Sequence, residues 1–224
     1  MADTFTHDGE HIVLVEGKND GHLISALCKY FDVPSDVFGV YECGSDRKAI
    51  QRLNALINGS VQKKTIGIVI DADAPSLASK WESISSRLRE NGYDLPARPE
   101  RGGTILYQAD KPTIGIWLMP DNDADGMLED FCLRLAPKEA IDHAIACVES
   151  AHSKGHTNFT PTHKSKAAIH TYLAWQDEPG MPMGQAISKK ALDPEQDIAK
   201  VFHDFLILLF FGDRQAALNS EVAN

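Results

Sequence analysis

The chain has little that would hold it outside a reducing compartment or within a bilayer. Its four cysteines, Cys28, Cys43, Cys132 and Cys147, show no CxxC spacing and no disulfide framework, so free thiols in a reducing cytosol are expected. Met1 to Glu10 is polar and acidic, which is not the basic-then-apolar pattern of a secretory leader. The longest apolar run, Phe205 to Phe211, is far short of the ~20 residues that span a bilayer. Internal repeats and low-complexity segments are absent. So is any basic tail or stripe of the kind that grips a duplex. With a net charge of −10, the chain as a whole repels polyanions. A soluble, cytoplasmic protein is the expectation, with 43% apolar and 24% charged residues over a length of 224.

What the chain does have is a series of short apolar runs that end on acids. Ile66-Gly67-Ile68-Val69-Ile70 reads as a buried strand and leads into Asp71-Ala72-Asp73. His11 to Val15 reads the same way and leads into Glu16-Gly17-Lys18-Asn19-Asp20, with Asn19 or Asp20 as candidate helix cap. Ile114 to Met119 leads into Asp121, Asp123 and Asp125, and then to Glu129-Asp130. In an open α/β sheet, ligands bind beyond the carboxyl ends of the strands. Three such ends side by side would gather their carboxylates into one pocket, and hard oxygen donors there suit Mg²⁺ or Mn²⁺ held against a phosphate.

Each acid also has a plainer reading. Asp71 and Asp73 could simply favour the start of a following helix, and Asp20 could be a cap. Glu16, followed by Gly17 and with the helix expected to start only near residue 19, has no capping task and is the better functional candidate. Asp121-Asn122-Asp123-Ala124-Asp125-Gly126 imitates the start of a calcium loop, but position twelve falls on Cys132 instead of Glu, so an EF-hand is rejected. Acids that cap a helix at 125–135 are the plain alternative. His152 and His156 flank Ser153-Lys154-Gly155, which breaks a helical metal-pair spacing. No tyrosine context supports a covalent nucleophile, and Tyr41 and Ser45 are nucleophiles in principle only.

The order of elements alternates. Strands are predicted at 11–15, 36–42 and 65–70, and helices at 19–31, 45–58 and 76–91, with Gly59 and Gly92 as stop signals. This pattern implies βαβ units and a mostly parallel sheet. Short strands at 104–108 and 113–119, separated by Asp110-Lys111-Pro112, add a hairpin. Helices follow at 125–135, 138–152, 163–175 (with Thr162 as cap) and 195–211, bounded by prolines, and 176–193 reads as a loop. The fold class is therefore α/β, a Rossmann-like mostly parallel sheet flanked by helices with a C-terminal helical extension. It divides into a core at 10–135 and an extension at 136–215. Phe202, Phe205, Leu206, Leu209 and Phe210 give the last helix an apolar face, to be met by the core or by a second copy of the chain.

Glu16-Gly17-Lys18-Asn19-Asp20, Asp71-Ala72-Asp73 and Leu128-Glu129 resemble the motifs of the Toprim family. That metal-dependent catalytic domain is shared by topoisomerases, bacterial primases and the overcoming-lysogenization-defect nucleases, and the nuclease branch is the closest in motif. The resemblance covers roughly residues 10 to 135. The remainder, around Lys164-Ser165-Lys166-Ala167 and Pro179-Gly180, is similar to the helical tail of an uncharacterised bacterial family of Toprim-related proteins. One departure is Ala74-Pro75, where nuclease and topoisomerase members often have Gly. The resemblance implies divalent-metal-dependent phosphodiester hydrolysis on DNA or RNA, with Mg²⁺ or Mn²⁺ as cofactor. Asp71 and Asp73 would hold one ion, Glu16 would be ligand or general base, and Asp20 and Glu129 would complete a second position. Lys166, on one helical face with His163 and His170, would offset transition-state charge. A partner ATPase often accompanies the nuclease branch.

Two rivals stand beside this reading. A haloacid-dehalogenase-type phosphatase would use Asp71 as nucleophile and Asp73 as acid. It gives Glu16 no role, and Pro75 stands where that family usually has Thr or Val. A non-catalytic or partner-dependent Toprim-like module of a phage-defence system agrees with the acidic charge and with Ala74-Pro75.

Overall fold

A computed structural model describes residues 9–59, 63–73 and 75–222, with side chains described as far as Gly212. Ala74, half of the expected departure in the DxD loop, lies outside the described residues, as does the acidic segment before Gly9. Five strands form one sheet in the order β2-β1-β3-β5-β4. They are β1 (His11–Val15), β2 (Gly39–Glu42), β3 (Thr65–Asp71), β4 (Thr104–Leu106) and β5 (Thr113–Met119). The first, second, third and fifth are parallel, and β4 pairs antiparallel with β5, as the hairpin reading expects. β2 and β4 are shorter than their predicted spans.

Strict alternation along the strands builds two cores. Ile12, Leu14, Ile66, Ile68, Ile70, Ile114, Ile116 and Leu118 face one side. There they meet α2 (Asp46–Ile57) and α3 (Leu77–Glu90) through Ala49, Leu53, Trp81, Ile84 and Leu88. Ser45 and Ser76 open these two helices, each accepting from the backbone N–H three residues on at 3.3 Å. Val13, Val15, Val69, Trp117 and Met119 face the other side. That side is covered by α1 (Lys18–Tyr30), α4 (Leu128–Leu133), α5 (Lys138–Ser153), α6 (Lys164–Ala174), α7 (Met183–Ser188) and α8 (Asp197–Val222).

Three sequence expectations need correction. The segment 176–193 contains α7, packed on α1, in place of an uninterrupted loop. A six-residue helix is too short to display periodicity, and its apolar residues Met183, Ala186 and Ile187 mark it only through burial. Thr162 is not the cap of α6: it sits inside a 3-10 turn, Pro161–His163, and His163 takes the capping position. Helix α1 starts at Lys18 with Gly17 as cap, so neither Asn19 nor Asp20 is the capping residue.

The apolar face of α8 is spent on the sheet. Phe202, Phe205, Leu206, Leu209 and Phe210 are all buried, so an oligomer through that face has no free surface to use. Two glycines make the close approach possible. Gly67 and Gly115 are register partners on β3 and β5, and the trough they leave receives Leu209. A Cβ on Gly115 would stand 2.3 Å from Leu209 Cδ2, and one on Gly67 would stand 3.3 Å away. Gly115→Ala is expected to lower stability by about 1–3 kcal/mol through overpacking. Chemical denaturation of the substitution in wild-type and Leu209→Ala backgrounds checks this. The cost shrinks in the second background if the clash with Leu209 is its source, and an equal cost in both would exclude that source.

Candidate active site at the strand ends

β1, β3 and β5 are consecutive in the sheet, so the chain that follows each of them enters the same crevice. Around it lies a cavity of about 380 Å³ lined by Glu16, Asp20, Asp71, Asp73, Glu129 and Lys166. These are the six side chains that the family resemblance named, and they come from the turn after β1, from α1, from the end of β3 and the turn after it, and from α4 and α6. Lys18, Asn19, Gly44 and His163 line it as well. Lys18 and Asn19 belong to the Glu16–Asp20 turn, and His163 shares a helical face with Lys166, whereas Gly44 carried no signal.

Backbone N–H groups hold the carboxylates in place. Glu16 Oε1 accepts from Asp71 N at 2.9 Å, which ties the end of β1 to the end of β3. Asp71 Oδ1 accepts from Leu128 N at 2.8 Å and fixes the first residue of α4. Asp20 Oδ2 accepts from Gly17 N at 3.0 Å, so the candidate cap reaches back to the true cap from the third helical position. Asp130 does the same for Met127 N at 2.9 Å, and its other oxygen accepts from Ser165 Oγ at 2.5 Å. That second bond locks α4 to α6 and sets the adjacent Lys166 Nζ 3.3 Å from Glu129 Oε1. Asp20 and Glu129 are nearly inaccessible, at 6% and 5% exposure, whereas the Lys166 side chain is half exposed.

The acidic loop after β5 behaves differently. Asp121 is bonded to Arg134 at 2.6 Å and to the backbone N–H of Ala124. Asp123 is paired with Arg101 at 2.9 Å, and Asp125 accepts from Leu77 N at 2.7 Å. None of the three lines the cavity. They do not cap α4 either, a task that falls to Asp130. Asp125 instead meets the first residue of α3.

Crowding and burial act on protonation. Burial pushes the Asp71 carboxyl up to about 8; the charges of Asp20 and Glu16 add to this, and the Leu128 N–H opposes it. Burial likewise pushes Asp20 up to about 7, against the Gly17 N–H, with Glu16 adding. Glu16 is raised chiefly by burial, against the Asp71 N–H. All four cysteines are free. Burial raises the Cys28 and Cys43 thiols to about 12 and about 11, so neither is poised as a nucleophile.

The donor set fits a divalent cation. It consists of hard carboxylate oxygens, and Asp20 Oδ1 is buried with no hydrogen-bond partner, an open acceptor beside other anions. Among the described residues, however, no three or more His, Cys, Asp or Glu stand close enough together to hold a metal ion as they are placed. The carboxylates share a cavity without converging on one point.

Residues 10–211 match the family described as a protein of unknown function (DUF3226). The chain belongs to that family. Comparison with curated proteins gives no match, and comparison with solved structures gives none. For this DUF3226 chain, no helix among the described residues is long and apolar enough to cross a membrane.

A pH test follows from the crowding. The folded chain keeps protons on Asp71 and Asp20 that the unfolded chain releases above the ordinary Asp value near 3.8. The folded state therefore binds more protons between about pH 4 and pH 8, and its stability falls as pH rises through that window. Asp71→Asn keeps the acceptor for Leu128 N–H and carries no charge. In EDTA, its Tm is expected to match the wild-type value near pH 4 and to exceed it increasingly up to about pH 8. Thermal melts across that range decide it. A difference in Tm that does not change with pH would mean that Asp71 is ionised throughout.

Proposed function

We propose that the chain is a Toprim-like, divalent-metal-dependent phosphodiesterase acting on nucleic acid. The observation that carries this reading is the meeting of Glu16, Asp20, Asp71, Asp73, Glu129 and Lys166 around one cavity at the ends of adjacent parallel strands. The partnerless Asp20 Oδ1 supports it. Asp71, Asp73, Asp20 and Glu129 would hold Mg²⁺ or Mn²⁺. When bound, the ion would polarise a phosphodiester and offset the cluster's negative charge.

The chain's own groups then divide the work. Glu16 keeps the β3 end in register through Asp71 N and offers its carboxylate to the proton of an attacking water. Lys166, held beside Glu129 at the accessible side of the cavity, neutralises charge that develops on the phosphoryl oxygens. A cytoplasmic setting and a partner ATPase belong to the same reading.

Two observations favour a second reading, a module that binds metal without turnover or acts only with a partner: the acids do not stand together as a metal cage, and the chain is acidic overall. A haloacid-dehalogenase-type phosphatase draws less support. Its nucleophile would be Asp71, yet Asp71 Oδ1 is engaged by Leu128 N–H and Glu16 would stand idle.

Plasmid and single-strand cleavage with Mg²⁺ or Mn²⁺ is the test. Cleavage is expected, abolished by EDTA and reduced at least ~10²-fold in Glu16→Gln, with Lys166→Ala losing on the order of 10²-fold in kcat. Gln is the informative substitution, because it keeps an acceptor for Asp71 N–H. Ala would orphan that donor and cost about 1–3 kcal/mol of stability. Saturable Mn²⁺ binding without cleavage would move the assignment to the non-catalytic module, and an aspartyl-phosphate trapped on Asp71 would move it to the phosphatase.

A further inference from the structure

The cations of this acidic chain are mostly committed to neighbours. Arg101 pairs with Asp123, Arg134 with Asp121, Lys138 with Asp142, Lys189 with Glu178 and Lys200 with Glu195. Among the described residues, Lys29, Arg98, Lys154 and Lys190 are also exposed without an ion pair, each in a different segment, whereas helix α2 gathers three such cations. Its exposed Arg47, Lys48 and Arg52 form no ion pair among those residues, so three uncompensated positive charges sit within six residues of an otherwise anionic surface. The first turn of this helix adjoins the acidic cavity. Gly44, one residue before the cap, lines that cavity, and its φ of +84° is the left-handed turn that brings α2 to the rim. Lys48 Nζ reaches back to within 3.7 Å of where a Cβ on Gly44 would stand.

One turn further along, a second depression of about 350 Å³ is lined by Tyr41, Cys43, Lys48, Gln51 and Arg52, with Glu42 as its single acid. There Arg52 sits over the Tyr41 ring, its Cζ 4.2 Å from the centroid. A guanidinium fixed in this way offers its outer face to a planar partner. Lys48 and Arg52 are separated by about 6 Å along the helix axis, comparable to the step between successive phosphates of an extended strand.

We infer that this face of α2 is a single-strand nucleic-acid track leading out of the acidic cavity, with Lys48 and Arg52 on consecutive phosphates and a base stacked on the Arg52–Tyr41 pair. The inference rests on the phosphodiesterase reading for its purpose but is tested without it. A single strand is assigned over a duplex because the stacking platform needs an open base face, and because so few cations would hold two backbones weakly.

The test is fluorescence anisotropy of a labelled 12-nucleotide single strand at low salt in EDTA, where neither metal nor turnover contributes. Lys48→Ala/Arg52→Ala is expected to bind about tenfold more weakly than wild type. Its log-affinity against log-salt slope should be shallower by about 1.4, the loss of two single-strand phosphate contacts. Lys138→Ala/Lys189→Ala, with the same change in net charge, is expected to bind as wild type does. Equal weakening by both pairs would reduce the effect to net charge and overturn the track. Absence of binding by the wild-type protein would overturn it too, and equal binding of a 12-base-pair duplex would overturn the single-strand assignment. Hydrolysis of bis(p-nitrophenyl) phosphate by the wild-type protein in Mn²⁺ is measured alongside. This small diester needs only the cavity, so turnover there with failed strand binding removes the track alone. Strand binding through α2 without turnover removes the phosphodiesterase reading alone.

Discussion

Everything near the strand ends depends on holding mutually repelling carboxylates close together and out of water. Three backbone N–H groups do most of it: Asp71 N on Glu16, Leu128 N on Asp71 and Gly17 N on Asp20. Each bond favours the ionised acid, and desolvation with neighbouring charge opposes it more strongly, so Asp71 and Asp20 stay protonated far above the ordinary range. The arrangement is costly to the fold, and the cost falls on elements that pack into a two-sided core. Without the donors the cluster would splay; without the crowding its carboxyls would keep their ordinary protonation. Both requirements are met because β1, β3 and β5 are neighbours and each is followed by a turn that returns its chain to the crevice.

The C-terminal third of the chain is part of this constraint and not an accessory to it. Helix α6 brings Lys166 to the cavity, and its position is set by the Ser165–Asp130 bond to the helix that carries Glu129. Helix α8 covers one face of the sheet whose strand ends border the site, seated in the trough over Gly67 and Gly115. Cutting the chain after residue 135 would leave Trp117, Phe131 and Val69 facing water. The partition into a core and an extension describes sequence texture, while the apolar packing runs across it.

Much of the site was legible because strand ends are legible. An apolar run that stops on an acid places that acid at the rim of a parallel sheet, and for Glu16 and Asp71 no more than this was needed. The loop after β5 shows the limit. Asp121, Asp123 and Asp125 carry the same signal, and their carboxylates are satisfied by Arg134, Arg101 and the backbone of Leu77 instead. These partners lie 13, 22 and 48 residues away, so no local pattern distinguishes them from cavity acids. Lys166 and Glu129 became visible through family resemblance, since the Ser165–Asp130 link that unites their helices spans 35 residues. Helix α7 was invisible for a different reason: six residues opening on Pro182 and containing Gly184 have no period to detect, and the helix owes its place to packing against α1.

The acidic net charge, which at first sight argues against a polyanionic ligand, loses force once charge is mapped onto the fold. Three of the acids after β5 are already neutralised or bonded on the surface. Of those in the cavity, Asp71, Asp20 and Glu16 are held above the ordinary carboxyl range by burial, which lessens their charge in the folded state. Many of the surface cations are paired, and of those that are not, Arg47, Lys48 and Arg52 stand together on α2 beside that same cavity. Under the phosphodiesterase reading, these cations would give a phosphodiester a local foothold that the net charge alone does not offer. A uniform field of −10 would repel such a ligand from every side, whereas segregated charge leaves one direction of approach open, and that direction ends at the acids.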